Sequence, residues 1–277
     1  CPTPRPAALR PWGAAPHPGL RRLRPWGAAP HPTNPFEKGF DPKTTFGKVL
    51  VCLKLLIDNA DIASIKKIYE FYPVDGVTTN PTILAKTGRP PYEVLREIRA
   101  FMGETAELHV QAVARDAQGI LAEGRRIVQE LGANTLVKVP AVPEGFKAMK
   151  LLRAQGIRVT ATAVYTPMQA YLAGMCGAEY AAPYVNRIDN MGYDGVQVAK
   201  DIHDIFIKNG LECQVLAASF KNSQQVLELC KYGVGAATAG PDIIEGFVKN
   251  PAISSAVQAF IDDFESLAGP GMTMAGC

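Results

Sequence analysis

The chain has 277 residues, of which 47% are hydrophobic and 20% charged, with a formal net charge of +3. Those proportions belong to an ordinary folded protein and exclude disorder over most of the length. No stretch nears the roughly 20 apolar residues of a membrane-spanning helix, because the most apolar run, Val49 to Ile57, is broken by Lys54.

The charge is unevenly spread. Residues 1–52 carry eight of the 29 Lys/Arg but two of the 26 Asp/Glu, a net of +6, which leaves −3 for the remainder. They also hold 11 of the 22 prolines, both tryptophans and two copies of LRPWGAAPHP, starting at Leu9 and Leu23. Two copies are too few for a solenoid. Without apolar periodicity such a segment cannot offset chain entropy, so 1–52 is predicted to be disordered or polyproline-like. Arg21, Arg22 and Arg24 close to Trp26 would suit a nucleic-acid arm. The duplicated decapeptide and the start at Cys1 point instead to an upstream translated stretch or an expression artefact, with the working domain over 53–277 and no nucleic-acid partner. The apolar core of a secretory signal is missing behind the basic residues. The six cysteines form no C-x-x-C pair and have no regular spacing, which argues against a disulfide framework or zinc site and for a reducing cytoplasm.

From Leu53 onward β-rich runs alternate with amphipathic helical stretches. The predicted strands are 53–58, 76–80, 106–113, 135–141, 158–164, 179–185, 214–220 and 235–240. The helical segments between them are 61–71, 91–102, 116–131, 143–155, 166–176, 194–209, 222–232 and 241–249. Several open on a starter residue: Asp61, Pro143, Thr166 with Pro167, Asn222 and Pro241. Eightfold β-α alternation predicts an α/β chain folded as a (β/α)8 barrel. The alternative, an open doubly wound sheet, usually has a Gly-rich turn after its first strand, and the DNADIAS that follows Ile57 has no glycine.

In a barrel strand alternate side chains point inward, and catalytic groups gather at the C-terminal strand ends. If Val137 and Val139 face the helices, Lys138 lies inside with Leu136. The same parity points Asp58, Thr78 with Asn80, Gln111, Thr162, Tyr184 and Ser219 inward, each near the end of its strand. Any one of these could be a solvated strand end, but seven strands aiming polar groups at one mouth is a pattern. Lys138 stands out, because desolvation lowers the pKa of a buried ammonium and favours the free amine that a Schiff base needs. The blander readings are a lysine that reaches the rim or pairs with Asp58. His109, inside the third strand, and His203, on a helix, have no metal-ligand spacing, so no metal or other cofactor is expected and both read as packing or surface residues.

Five motifs, GVTTNPTI (76–83), LVKVP (136–140), TATAVY (160–165), APYVNRID (182–189) and AASFK (217–221), resemble the fructose-6-phosphate aldolase and small transaldolase family over essentially all of 53–267. The resemblance implies a TIM barrel of class I aldolases acting on sugar phosphates, with an extra C-terminal helix after Pro251 packing on a neighbour in a ring-like homo-oligomer. Lys138 then takes the Schiff-base position. Asp58, Thr78 and Asn80 match the positions that hold sugar hydroxyls, Gln111, Thr162 and Tyr184 those around a catalytic water, and Arg187 with Ser219 the phosphate site. The competing role for Arg187 is an ion pair with Asp189. The family's first strand normally opens on the initiator Met, where this chain has Leu53, which is expected to mark a non-standard start. In the transaldolase branch the positions matching Gln111 and Tyr184 are usually Glu and Phe, so this chain resembles the aldolase branch.

Overall fold

The computed structural model describes residues 52–276, so the expectations made for 1–51 lie outside the described residues. Eight parallel strands pair in chain order and close into a barrel: β1 (Lys54–Asp58), β2 (Gly76–Thr78), β3 (Glu107–Gln111), β4 (Thr135–Pro140), β5 (Val159–Val164), β6 (Tyr180–Pro183), β7 (Gln214–Ala217) and β8 (Ala236–Ala239), with β8 pairing back on β1. This is the predicted TIM barrel.

Helices fill the connections: α1 (Ile62–Phe71), α2 (Pro81–Ala85), α3 (Pro91–Met102), α4 (Ala117–Leu131), α5 (Pro143–Arg153), α6 (Pro167–Met175), α7 (Val185–Asp189), α8 (Gly195–Lys208), α9 (Ser223–Tyr232), α10 (Pro241–Glu245) and α11 (Pro251–Ala268). The starters act as their chemistry requires. Asp61 and Asn222 accept the backbone N–H of Ser64 and Gln225, Thr166 opens a capping box, and Pro143 and Pro241 occupy first helical turns where no donor is needed. Two five-residue helices that were not expected, α2 and α7, begin at the ends of the second and sixth predicted strands.

Strand parity divides the core. Ile57, Val77, Val137, Val139, Val215 and Ala217 face the helices, while Leu56, Leu136, Tyr180, Leu216 and Ala236 form a separate cluster inside the barrel. Each fully buried aliphatic side chain of this kind stabilises the fold by roughly 1.5–3 kcal/mol. Gly145 lets α5 approach the end of β4, since a Cβ there would lie 1.9 Å from Pro140 O. That approach fixes the strand end just beyond Lys138.

Candidate active site

Lys138 sits on the inner face of β4, in register with Gln111 on β3 and Thr160 on β5. It is buried, and its Nζ donates to Thr79 O at 2.9 Å. Thr79 is itself tied down, because its N–H and Oγ1 both donate to His109 O. Burial pushes the lysine pKa below its ordinary value, and the Asp58 charge offsets that only in part. Lys138 does not use Asp58 as its acceptor. The Asp58 carboxylate instead accepts the Thr78 hydroxyl at 2.7 Å, and Thr78 Oγ1 also lies 2.7 Å from Thr238 Oγ1 on β8.

Across the mouth Thr162 Oγ1 lies 2.7 Å from the Tyr184 hydroxyl. Tyr184 is also packed edge-on by Tyr165, with ring centroids 5.6 Å apart, and the Arg187 guanidinium lies 4.7 Å from its ring centre. Arg187 forms no ion pair among the described residues. Asp189, its suggested partner, accepts instead from Gly195 N–H at 2.7 Å and Gln225 Nε2 at 2.6 Å. A hydrogen bond to Tyr165 raises the Arg187 pKa further, so this exposed cation stays charged.

Three of the expected site residues lie just past their strands rather than in them. Pro81 has no N–H to extend β2, so Asn80 becomes the cap of α2, its Oδ1 accepting from Ile83 N–H at 3.0 Å. Tyr184 follows β6 at the start of α7, bridged to Ala218. Ser219 has φ 62° and its carbonyl accepts Asn186 N–H at 2.7 Å, which holds it beside the helix that carries Arg187. A left-handed conformation costs a residue with a Cβ roughly 1–2 kcal/mol. Gln111, Lys138, Thr162, Asp58 and Thr78 occupy the inner strand positions that parity gives them.

Thr238, Thr79 and Tyr165 were missed in the sequence. Thr238 could have been found by continuing the alternation from Ala236, whereas the Thr79 contact is made by a peptide carbonyl and leaves no mark in side-chain chemistry. His109 is fully buried, with Nδ1 2.8 Å from Thr160 Oγ1. Among the described residues no three His, Cys, Asp or Glu side chains gather as a metal-binding group, and no helix is long and apolar enough to cross a membrane.

Residues 55–275 match the family model described as transaldolase/fructose-6-phosphate aldolase. A protein of Hydrogenobaculum sp. named "probable transaldolase" is 36% identical over 215 residues, spanning 78% of this chain and 98% of that protein. Among solved structures, a mandelate oxidase mutant with an FMN monooxide adduct is similar at TM-score 0.49 and 14% identity, covering 69% of this chain and 65% of that one.

Proposed function

The chain belongs to the transaldolase/fructose-6-phosphate aldolase family, and from that premise we propose that it is a class I aldolase that reversibly cleaves fructose 6-phosphate to dihydroxyacetone and glyceraldehyde 3-phosphate. One observation carries the reading most: the Lys138 amine is buried inside the barrel with a neutral carbonyl as its partner, which favours the uncharged nucleophile.

The chemistry runs on this chain's own side chains. The Lys138 amine adds to the C2 carbonyl of the ketose, and loss of water leaves an iminium. That cation draws the electrons of the C3–C4 bond as a base takes the C4 hydroxyl proton, and glyceraldehyde 3-phosphate departs. A three-carbon enamine stays on Lys138. The Tyr184 hydroxyl, paired with Thr162, passes a proton to the enamine carbon through a water oriented by Thr162 and Gln111, and hydrolysis of the iminium frees dihydroxyacetone and restores the amine. Asp58, Thr78 and Asn80, whose Oδ1 alone is used to cap α2, hold the donor hydroxyls. Arg187 grips the phosphate with its planar fork, and Ser219 adds a hydroxyl.

The relative named as a probable transaldolase favours a second reading, in which the enamine adds to an acceptor aldose instead of being protonated. A product assay separates the two. Free dihydroxyacetone released from fructose 6-phosphate without an acceptor supports the aldolase, and Tyr184→Phe should lower that release by about 10²-fold or more. Efficient transfer to erythrose 4-phosphate with no free dihydroxyacetone would overturn it in favour of the transaldolase.

We also propose a ring-like homo-oligomer with α11 as a contact. Among the described residues that helix has no buried side chain, and it exposes Ile253, Val257, Phe260 and Ile261. A light-scattering mass of one chain would contradict this.

A further inference from the structure

Strand β5 carries an irregularity exactly one residue long. Ala161 pairs with Ala181 and Val164 with Pro183, so three steps on β5 match two on β6, and Ala163 between them has φ 55°. Regular alternation would send Val164 into the barrel with Thr160 and Thr162. The bulge turns it outward instead, into the core shared with Val159 and Ala161. It thereby keeps an apolar side chain out of the mouth and makes Thr162 the last inward residue of the strand, within reach of Tyr184.

Gln169, in the first turn of α6, spans this bulge. Its Oε1 accepts from Tyr165 N–H at 2.9 Å and Thr166 N–H at 3.2 Å, while Nε2 donates to Ala141 O at 3.0 Å and Ala163 O at 3.3 Å. Ala141 in turn donates its N–H to Thr162 O at 2.9 Å. The capping box with Thr166 requires only the oxygen of residue 169, and a glutamate would serve it as well. The two Nε2 bonds are surplus to helix capping. Both go to carbonyls at the mouth, one at the bulge and one just past the strand of Lys138.

We propose that Gln169 is a positioning residue for the Thr162–Tyr184 pair, its Nε2 clamping the bulge so that the two hydroxyls stay in contact during proton transfer. The proposal rests on the reading of Lys138 as the Schiff-base lysine and of Thr162 with Tyr184 as the proton-handling pair.

Gln169→Glu in the full chain separates this role from capping, because it keeps the acceptor and loses both donors. The expected result is a retained fold, undiminished borohydride trapping of dihydroxyacetone on Lys138, a kcat for dihydroxyacetone release lowered roughly 10- to 100-fold, and a KM within about threefold of the unmodified protein. Activity relative to the unmodified protein should recover as pH falls, since a protonated carboxyl can again donate to one carbonyl. In a Tyr184→Phe background the same change should cost less than about twofold, because the pair it positions is gone. An unchanged kcat, a full additive loss in that background, or trapping that falls in parallel with kcat would overturn the proposal. If Gln169→Glu does not fold, Gln169→Met is the second variant, since it is close in size, removes both donors and leaves the Thr166 hydroxyl to cap α6; a wild-type kcat there overturns the proposal equally. Absence of any Lys138 adduct in the unmodified protein is a separate result, which removes the Schiff-base reading and the clamp with it.

Discussion

At the floor of the barrel Lys54 donates to Glu107 at 3.1 Å and to the Tyr180 hydroxyl at 3.0 Å, whereas at the mouth Lys138 donates to a peptide carbonyl. The floor is a closed set of charges: Arg158 reaches Glu107 at 2.9 Å and also bonds Glu179 and Asn134. Burial alone would depress the pKa of Lys54, but Tyr180 and Glu107 outweigh it and raise the value. At Lys138 burial wins, because the opposing Asp58 charge offsets it only in part and is engaged by Thr78. Two lysines on inner strand faces of one barrel are thus driven in opposite directions by what each can pair with. A lysine paired with a carboxylate keeps its charge, whereas burial beside a neutral partner favours the free amine.

The comparison breaks most visibly at Glu107. Its folded pKa is depressed: burial pushes it up, but His109, Lys54 and Arg158 together outweigh burial. Glu107→Gln leaves Lys54 with neutral partners and Arg158 with Glu179 alone, and should cost roughly 2–3 kcal/mol, less than the 3–5 of a fully buried pair because Lys54 is 40% exposed. Because the folded value lies below the unfolded one, the stabilisation is complete above about pH 4.3 and is lost as pH falls through the folded value. Denaturant melts across pH should therefore show a gap between the two proteins that closes in acid. A gap that stays constant or widens in acid would contradict the floor account.

Asp58→Asn sharpens the mouth with a smaller effect. The Asp58 charge raises the Lys138 pKa against burial, so removing it should move the acid limb of Schiff-base formation to lower pH. Borohydride trapping rates at saturating ketone measure this directly. A shift to higher pH would mean that Asp58 does not act on the amine by its charge.

Much of this contrast was legible beforehand. The alternation that placed Val137 and Val139 outward also placed Lys138, Gln111 and Thr162 inward, because a two-residue period survives in any sequence whose strands separate an apolar face from a polar one. The floor was not legible. Lys54, Glu107, Arg158 and Glu179 lie at strand starts, where a charge reads as solvated, and only closure of the barrel brings them together. Strand ends were drawn too long at Asn80 and Tyr184, since α2 and α7 have five residues each, too few for a 3.6-residue period to register, and at Ser219, whose positive φ turns the chain out of β7. The bulge at Ala163 left no signal either, because alanine carries none of the glycine or asparagine chemistry that announces a positive φ.

The most direct test of the central claim is the site of covalent capture. The full chain, treated with dihydroxyacetone and borohydride and then mapped peptide by peptide, should carry a three-carbon adduct on Lys138. Lys138→Met should fold, take up no label and lose on the order of 10⁴-fold or more in kcat. An adduct on Lys54 or any other lysine, or turnover that survives Lys138→Met, would contradict the assignment of the mouth lysine as the nucleophile.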